Sequence, residues 1–68
     1  MMKDGKMKGW IVRDTSGMIY LYSTKPYRKD GGFLPNMDCV FIDSDMFPKL
    51  TWENSPVEVE ITITPKKR

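Results

Sequence analysis

Trp10-Ile11-Val12-Arg13, Asp14-Thr15-Ser16-Gly17 and Met18-Ile19-Tyr20-Leu21-Tyr22-Ser23 follow one another without a break, and their reading decides the fold. The outer segments are rich in β-branched and aromatic residues, which suit the pleated surface of a strand. Between them, Asp14 stands at the first position of a type I turn and Gly17 at the fourth, where a left-handed backbone is needed. This pattern predicts a hairpin with a three-residue loop and a glycine bulge. If Asp14 and Met18 flank the loop, Arg13 pairs with Ile19, Val12 with Tyr20, Ile11 with Leu21 and Trp10 with Tyr22. Side chains alternate along a strand, so one face collects Trp10, Val12, Tyr20 and Tyr22, and the other Ile11, Arg13, Ile19 and Leu21. Both faces are mostly apolar. Such a hairpin belongs in a closed small barrel or presents one face to something else.

Outward from the hairpin, residues 1–8 are polar and without periodicity and read as a flexible leader, with order from Gly9. Lys25-Pro26-Tyr27-Arg28-Lys29-Asp30-Gly31-Gly32 reads as a basic loop, and Phe33-Leu34-Pro35 as a short strand at a sheet edge, where proline is tolerated. Cys39-Val40-Phe41-Ile42-Asp43 suits a central strand. Asp43 or Ser44 can cap one helical turn through Asp45-Met46-Phe47 before Pro48 stops it. Leu50-Thr51-Trp52-Glu53 starts another extended piece, broken by Asn54-Ser55-Pro56. From Val57 the pattern is clean: Val57, Val59, Ile61 and Ile63 alternate with Glu58, Glu60, Thr62 and Thr64. The expectation is a last strand with one buried and one wet face, supplying the most regular part of the core, followed by the basic tail 66–68.

The fold class is therefore mainly β: about five short antiparallel strands in a small SH3-like or partly open barrel, with one short helical turn, forming a single domain over residues 9–65. A chain of 68 residues has room for one domain and a small core. Without His, and with Cys39 as its sole cysteine, the chain offers neither a structural zinc site, nor an internal disulfide, nor His-assisted nucleophilic chemistry. No stretch approaches the length of an apolar membrane span, and the charged opening residues are unlike a signal peptide. The expected location is cytoplasmic, with no membrane partner and no cofactor.

Gly9-Trp10-Ile11-Val12-Arg13-Asp14 with Gly17, Leu21-Tyr22 with Lys25-Pro26, and Phe47-Pro48-Lys49-Leu50-Thr51-Trp52-Glu53-Asn54-Ser55-Pro56-Val57-Glu58-Val59 resemble segments of a group of short, uncharacterised proteins from phages and gut bacteria. The resemblance implies a small intracellular β domain, on a phage or other mobile element, and brings no activity or functional residues with it.

The net charge of +2 conceals an uneven distribution. Residues 1–29 hold seven basic and two acidic side chains, residues 30–65 one basic and seven acidic, and the last three are all basic. The aromatic hairpin face thus lies in the basic part of the chain. Trp10, Tyr20 and Tyr22, with Lys25, Arg28 and Lys29, form the candidate partner-binding set. Trp, Tyr and Arg dominate protein hot spots, and rings flanked by cations also stack nucleic-acid bases. The same rings equally suit plain core. Asp38, Asp43, Asp45 and Glu53 lack the spacing of a calcium loop and read as caps or solvated charges, and Asp43 with Asp45 lacks the concave pocket that acid–base catalysis needs. The leading function is a non-catalytic interaction module that binds a protein partner or its own copy through the aromatic, basic hairpin face. The alternative is a small nucleic-acid-binding domain using hairpin, loop and tail.

Overall fold

A computed structural model describes residues 3–35 and 37–66. It contains six strands: β1 (Gly5–Arg13), β2 (Ile19–Tyr22), β3 (Tyr27–Lys29), β4 (Gly32–Leu34), β5 (Cys39–Ile42) and β6 (Val57–Ile63). They form an antiparallel four-stranded sheet in the order β5-β2-β1-β6 and a separate two-stranded ribbon of β3 and β4. The fold is mainly β and antiparallel, as expected, but the sheets do not close into a barrel. No hydrogen-bonded strand pair joins the ribbon to the main sheet.

The β1–β2 hairpin has the register that alternation and turn chemistry dictate, Trp10 opposite Tyr22 through Arg13 opposite Ile19. Its loop closes through Asp14 N–H to Met18 O at 3.0 Å and Gly17 N–H to Asp14 O at 3.0 Å, with Gly17 at φ 93°. One Asp14 carboxylate oxygen accepts from Ser16 N, Ser16 Oγ and Met18 N at 2.7–3.0 Å, so the aspartate orders the turn it begins.

Each face of this hairpin nucleates its own cluster. On the aromatic face, Val12, Tyr22 and Phe33 are buried, with Tyr20, Cys39 and Trp52 packed against them. On the aliphatic face, Ile11, Ile19 and Leu50 are buried, with Leu21, Ile42 and Val59 alongside. Val12 and Ile19 are wholly enclosed, and each such side chain contributes about 1.5–3 kcal/mol through burial. The two apolar faces are thus covered by different elements: the ribbon with Trp52 on one side, Leu50 on the other.

Several expectations are corrected. Order does not wait for Gly9: β1 begins at Gly5, because Gly5–Lys8 pairs with Glu60–Ile63. A long partner strand supplies backbone hydrogen bonds that local sequence does not predict. The basic loop is a hairpin, its two-residue turn formed by Asp30 (φ 52°) and Gly31 (φ 81°). Positive φ at both positions is the type I′ geometry that matches strand twist. No helical turn forms at Asp43–Phe47. Met46 N–H reaches Asp43 O at 2.9 Å and Asp45 N–H reaches the Asp43 carboxylate at 3.1 Å, as in an isolated turn. Phe47 then takes φ 54°, a backbone conformation that costs a bulky residue on the order of 1 kcal/mol or more. Leu50-Thr51-Trp52-Glu53 is likewise turn rather than strand. The last strand lies at the sheet edge instead of lining the main core: Val57 is 37% exposed and Ile63 57%. Of the expected basic tail, Lys66 is exposed, while Lys67 and Arg68 lie outside the described residues.

The irregular segment 43–56 is held by Arg13. Its Nε donates to Leu50 O at 2.6 Å and one terminal nitrogen to Gly17 O at 2.7 Å. The other faces Ser44 O, Met46 O and Phe47 O at 3.3–3.4 Å. Its backbone N–H donates to Ser55 Oγ at 2.9 Å, and that buried hydroxyl donates to Thr51 O at 2.5 Å. Replacing Arg13 with Ala is expected to lower stability by roughly 2–4 kcal/mol in urea unfolding, because hydrogen bonds to charged groups are worth about 1.5–3 kcal/mol each but share one side chain. Arg13→Lys should recover less than half of that loss, since an ammonium cannot reproduce the planar fork.

Candidate interaction surface

The aromatic face carries a cleft of about 460 Å³, lined by Asp14, Tyr20, Tyr22, Gly32, Phe33, Cys39 and Phe41. Strand pairing puts Phe41 opposite Tyr20 and Cys39 opposite Tyr22, so β5 extends the aromatic face by one strand. Tyr20 and Phe41 pack with ring centroids 5.0 Å apart and planes tilted by 43°, within the range of favourable aromatic pairs. Phe41 is nevertheless 67% exposed, although β5 is apolar enough for a central strand. Its exposure follows from position, since β5 is an edge strand.

The ribbon forms the opposite wall. Phe33 points from β4 into the aromatic cluster and meets Trp52 edge-on, centroids 5.2 Å apart at 65°. Arg28, opposite Phe33 in the ribbon, lays its guanidinium over the Trp52 ring at 4.6 Å. One of its nitrogens donates to the carbonyls of Trp52, Glu53 and Ser55 at 2.6, 2.7 and 3.0 Å. Arg28 thus locks ribbon to loop.

Of the six residues selected from sequence, Tyr20 and Tyr22 line the cleft. Trp10 shares their sheet face and is half-buried, outside the cleft lining. Lys25 and Lys29 are exposed, and neither they nor Arg28 is among the lining residues. Sequence reasoning missed Phe41 and Phe33 as members of the surface. Their signal was present in the period-two alternation of Cys39-Val40-Phe41-Ile42 once this strand is set against β2.

Burial first, and then the neighbouring Cys39, raise the Tyr22 pKa to about 12 from an ordinary 10.0. Tyr20 is raised too, by desolvation and by the charge of Asp14. Both hydroxyls are therefore neutral hydrogen-bonding groups at physiological pH. The acids expected to act as caps do so in part: Asp43 orders its turn, and Asn54 closes a reciprocal pair with Thr51, accepting from Thr51 N at 2.8 Å and donating its own N–H to Thr51 Oγ1 at 3.1 Å. Among the described residues, no three His, Cys, Asp or Glu side chains gather as a metal site would require. Nor is any helix there long and apolar enough to cross a membrane.

Compared with known families, curated proteins and solved structures, the chain matches no family model, no curated protein and no solved structure.

The Tyr22 shift has a definite sign. The unfolded tyrosine ionises near pH 10 while the folded one stays protonated to about 12, so stability is full below about pH 10 and declines as pH rises between these values. The slope approaches ~1.4 kcal/mol per pH unit. Urea unfolding of wild type and Tyr22→Phe across this range should show the steeper alkaline decline in wild type, and equal slopes would remove the basis for a buried, neutral Tyr22.

Proposed function

We propose that this protein is a non-catalytic interaction module whose aromatic cleft receives a segment of another protein. The observation that carries this reading is Phe41, two-thirds exposed yet stacked on Tyr20 at the cleft it lines. A large ring held in one orientation at a groove is the kind of anchor that dominates protein interfaces, because its conformational entropy is already lost before binding. Tyr20 and Tyr22 add hydroxyls that stay neutral, suited to hydrogen bonding with a peptide backbone. A groove walled by aromatic rings favours an extended segment with an apolar side chain directed between Tyr20 and Phe33.

The nucleic-acid reading requires cations around the rings. The cleft is instead lined by one acid, Asp14, and by no Lys or Arg. Arg28 is engaged with three carbonyls, and Lys8 lies 3.9 Å from Glu58 in an exposed pair, worth under about 1 kcal/mol. Part of the charge division along the chain is therefore neutralised between neighbouring strands.

Selection of a random-peptide library on the immobilised protein should yield related sequences with a shared apolar residue. Phe41→Ser should reduce their affinity at least about tenfold while lowering stability by no more than ~1.5 kcal/mol, the scale of a lost aromatic pair. Peptides that bind Phe41→Ser as well as wild type would place binding elsewhere and sink this reading.

A further inference from the structure

Strand β6 forms an open edge, and its backbone direction follows from the hairpin. Asp14 N–H donates to Met18 O, so Asp14 directs its backbone groups towards β2. These groups alternate sides along a strand, and one residue earlier Arg13 aims its N–H the other way, onto Ser55 Oγ. Ile11, Gly9, Met7 and Gly5 share the Arg13 direction, so Val57, Val59, Ile61 and Ile63 opposite them direct their backbone groups to β1. Glu58, Glu60 and Thr62 therefore aim N–H and C=O away from the sheet. Among the described residues no strand pairs with this side of β6.

Natural edges are usually blunted by proline, a bulge, lysine or a covering loop. The seven residues of β6 contain neither proline nor lysine, and their pairing with β1 runs without a bulge. Its aliphatic side chains are also under-covered at the far end, where Ile63 is 57% and Met7 42% exposed.

We infer that β6 pairs antiparallel with β6 of a second copy of this chain, extending the sheet across a two-fold axis at Thr62. The glutamates select both the partner and the register. A dyad at Glu60 would set Glu60 against itself, and one at Val59 would set Glu58 against Glu60 twice; like charges directly opposite are destabilising. A dyad at Thr62 sets Glu60 against Thr64 and Glu58 against Lys66 of the second copy. The acidic strand thereby meets the basic residue that follows it, twice by symmetry. On the aliphatic side the same register places Ile61 opposite Ile63 of the second copy, gathering four isoleucines over the axis. Pro65 does not interfere, because by the same alternation its missing N–H lies on the β1 side. This surface is separate from the aromatic cleft, and neither proposal depends on the other.

Sedimentation velocity over a micromolar to millimolar range tests the pairing. The wild type is expected to rise from 7.9 kDa to twice that mass with concentration. Thr62→Pro removes only the outward N–H, used twice across the axis, and should weaken association roughly ten- to a hundredfold. Glu58→Lys and Lys66→Glu should each weaken it severalfold, and the double exchange should restore it, a rescue that misfolding cannot produce. Phe41→Ser should leave it unchanged. A wild type that stays at 7.9 kDa throughout, or charge variants whose double exchange gives no rescue, would overturn the inference.

Discussion

Everything outside the β1–β2 hairpin depends on how Arg13 is satisfied. It sits on the aliphatic face of a central strand, in line with Ile11 and opposite Ile19, where an unpartnered guanidinium would be costly. Five carbonyls surround it, one from the hairpin loop and four from residues 44–50. The dependence runs both ways. The segment between β5 and β6 has no ladder of its own, and its carbonyls need donors wherever water is displaced. Arg13 supplies those donors from one side of the sheet, and Arg28 does the same for residues 52–55 from the other. In a domain whose only cysteine is unpaired, two arginines perform the cross-linking that small folds otherwise obtain from disulfides or metals.

This arrangement explains why the core is divided. A single sheet with apolar residues on both sides of its central hairpin needs two covers, and the chain after β2 provides them in turn: first the ribbon for the aromatic face, then Leu50 for the aliphatic one. Trp52, two residues beyond Leu50, packs with the opposite cluster. The chain therefore passes around the end of the sheet between these two residues, close to the buried Ser55 hydroxyl that ties Thr51 to Arg13. Neither cluster is large, and each relies on the arginine that positions its lid.

What was legible in the sequence is what local chemistry decides. The register of the first hairpin followed from Asp14, Gly17 and strict alternation. The strand character of Val57–Ile63 followed from period two, but periodicity says which side is apolar and not whether anything lies over it. The second hairpin was equally local, written in Asp30-Gly31, and was obscured by the run of basic residues before it. The partners of Arg13 and Arg28 were not legible, because they are backbone carbonyls more than twenty residues away for all but the Gly17 contact. The helical turn failed for the same reason: carbonyls of Ser44 and Met46 face a distant guanidinium. At the candidate surface, Tyr20 and Tyr22 were recognisable from the hairpin alone, whereas Phe41 and Phe33 required knowing that β5 and the ribbon flank it.

The placement of β1 between β2 and β6 bears on how the molecule reaches this structure. The β1–β2 hairpin closes a loop of three residues and can form within microseconds, whereas β1 meets β6 only after most of the chain has been looped back. Contacts of such separation dominate the folding time of small β proteins. During synthesis the hairpin, and then β5, can assemble while the β6 side of β1 stays open and Arg13 still lacks most of its carbonyls. The same strand is therefore among the first to pair and among the last to be completed, and the interval between those events is when this chain is most exposed to wrong partners.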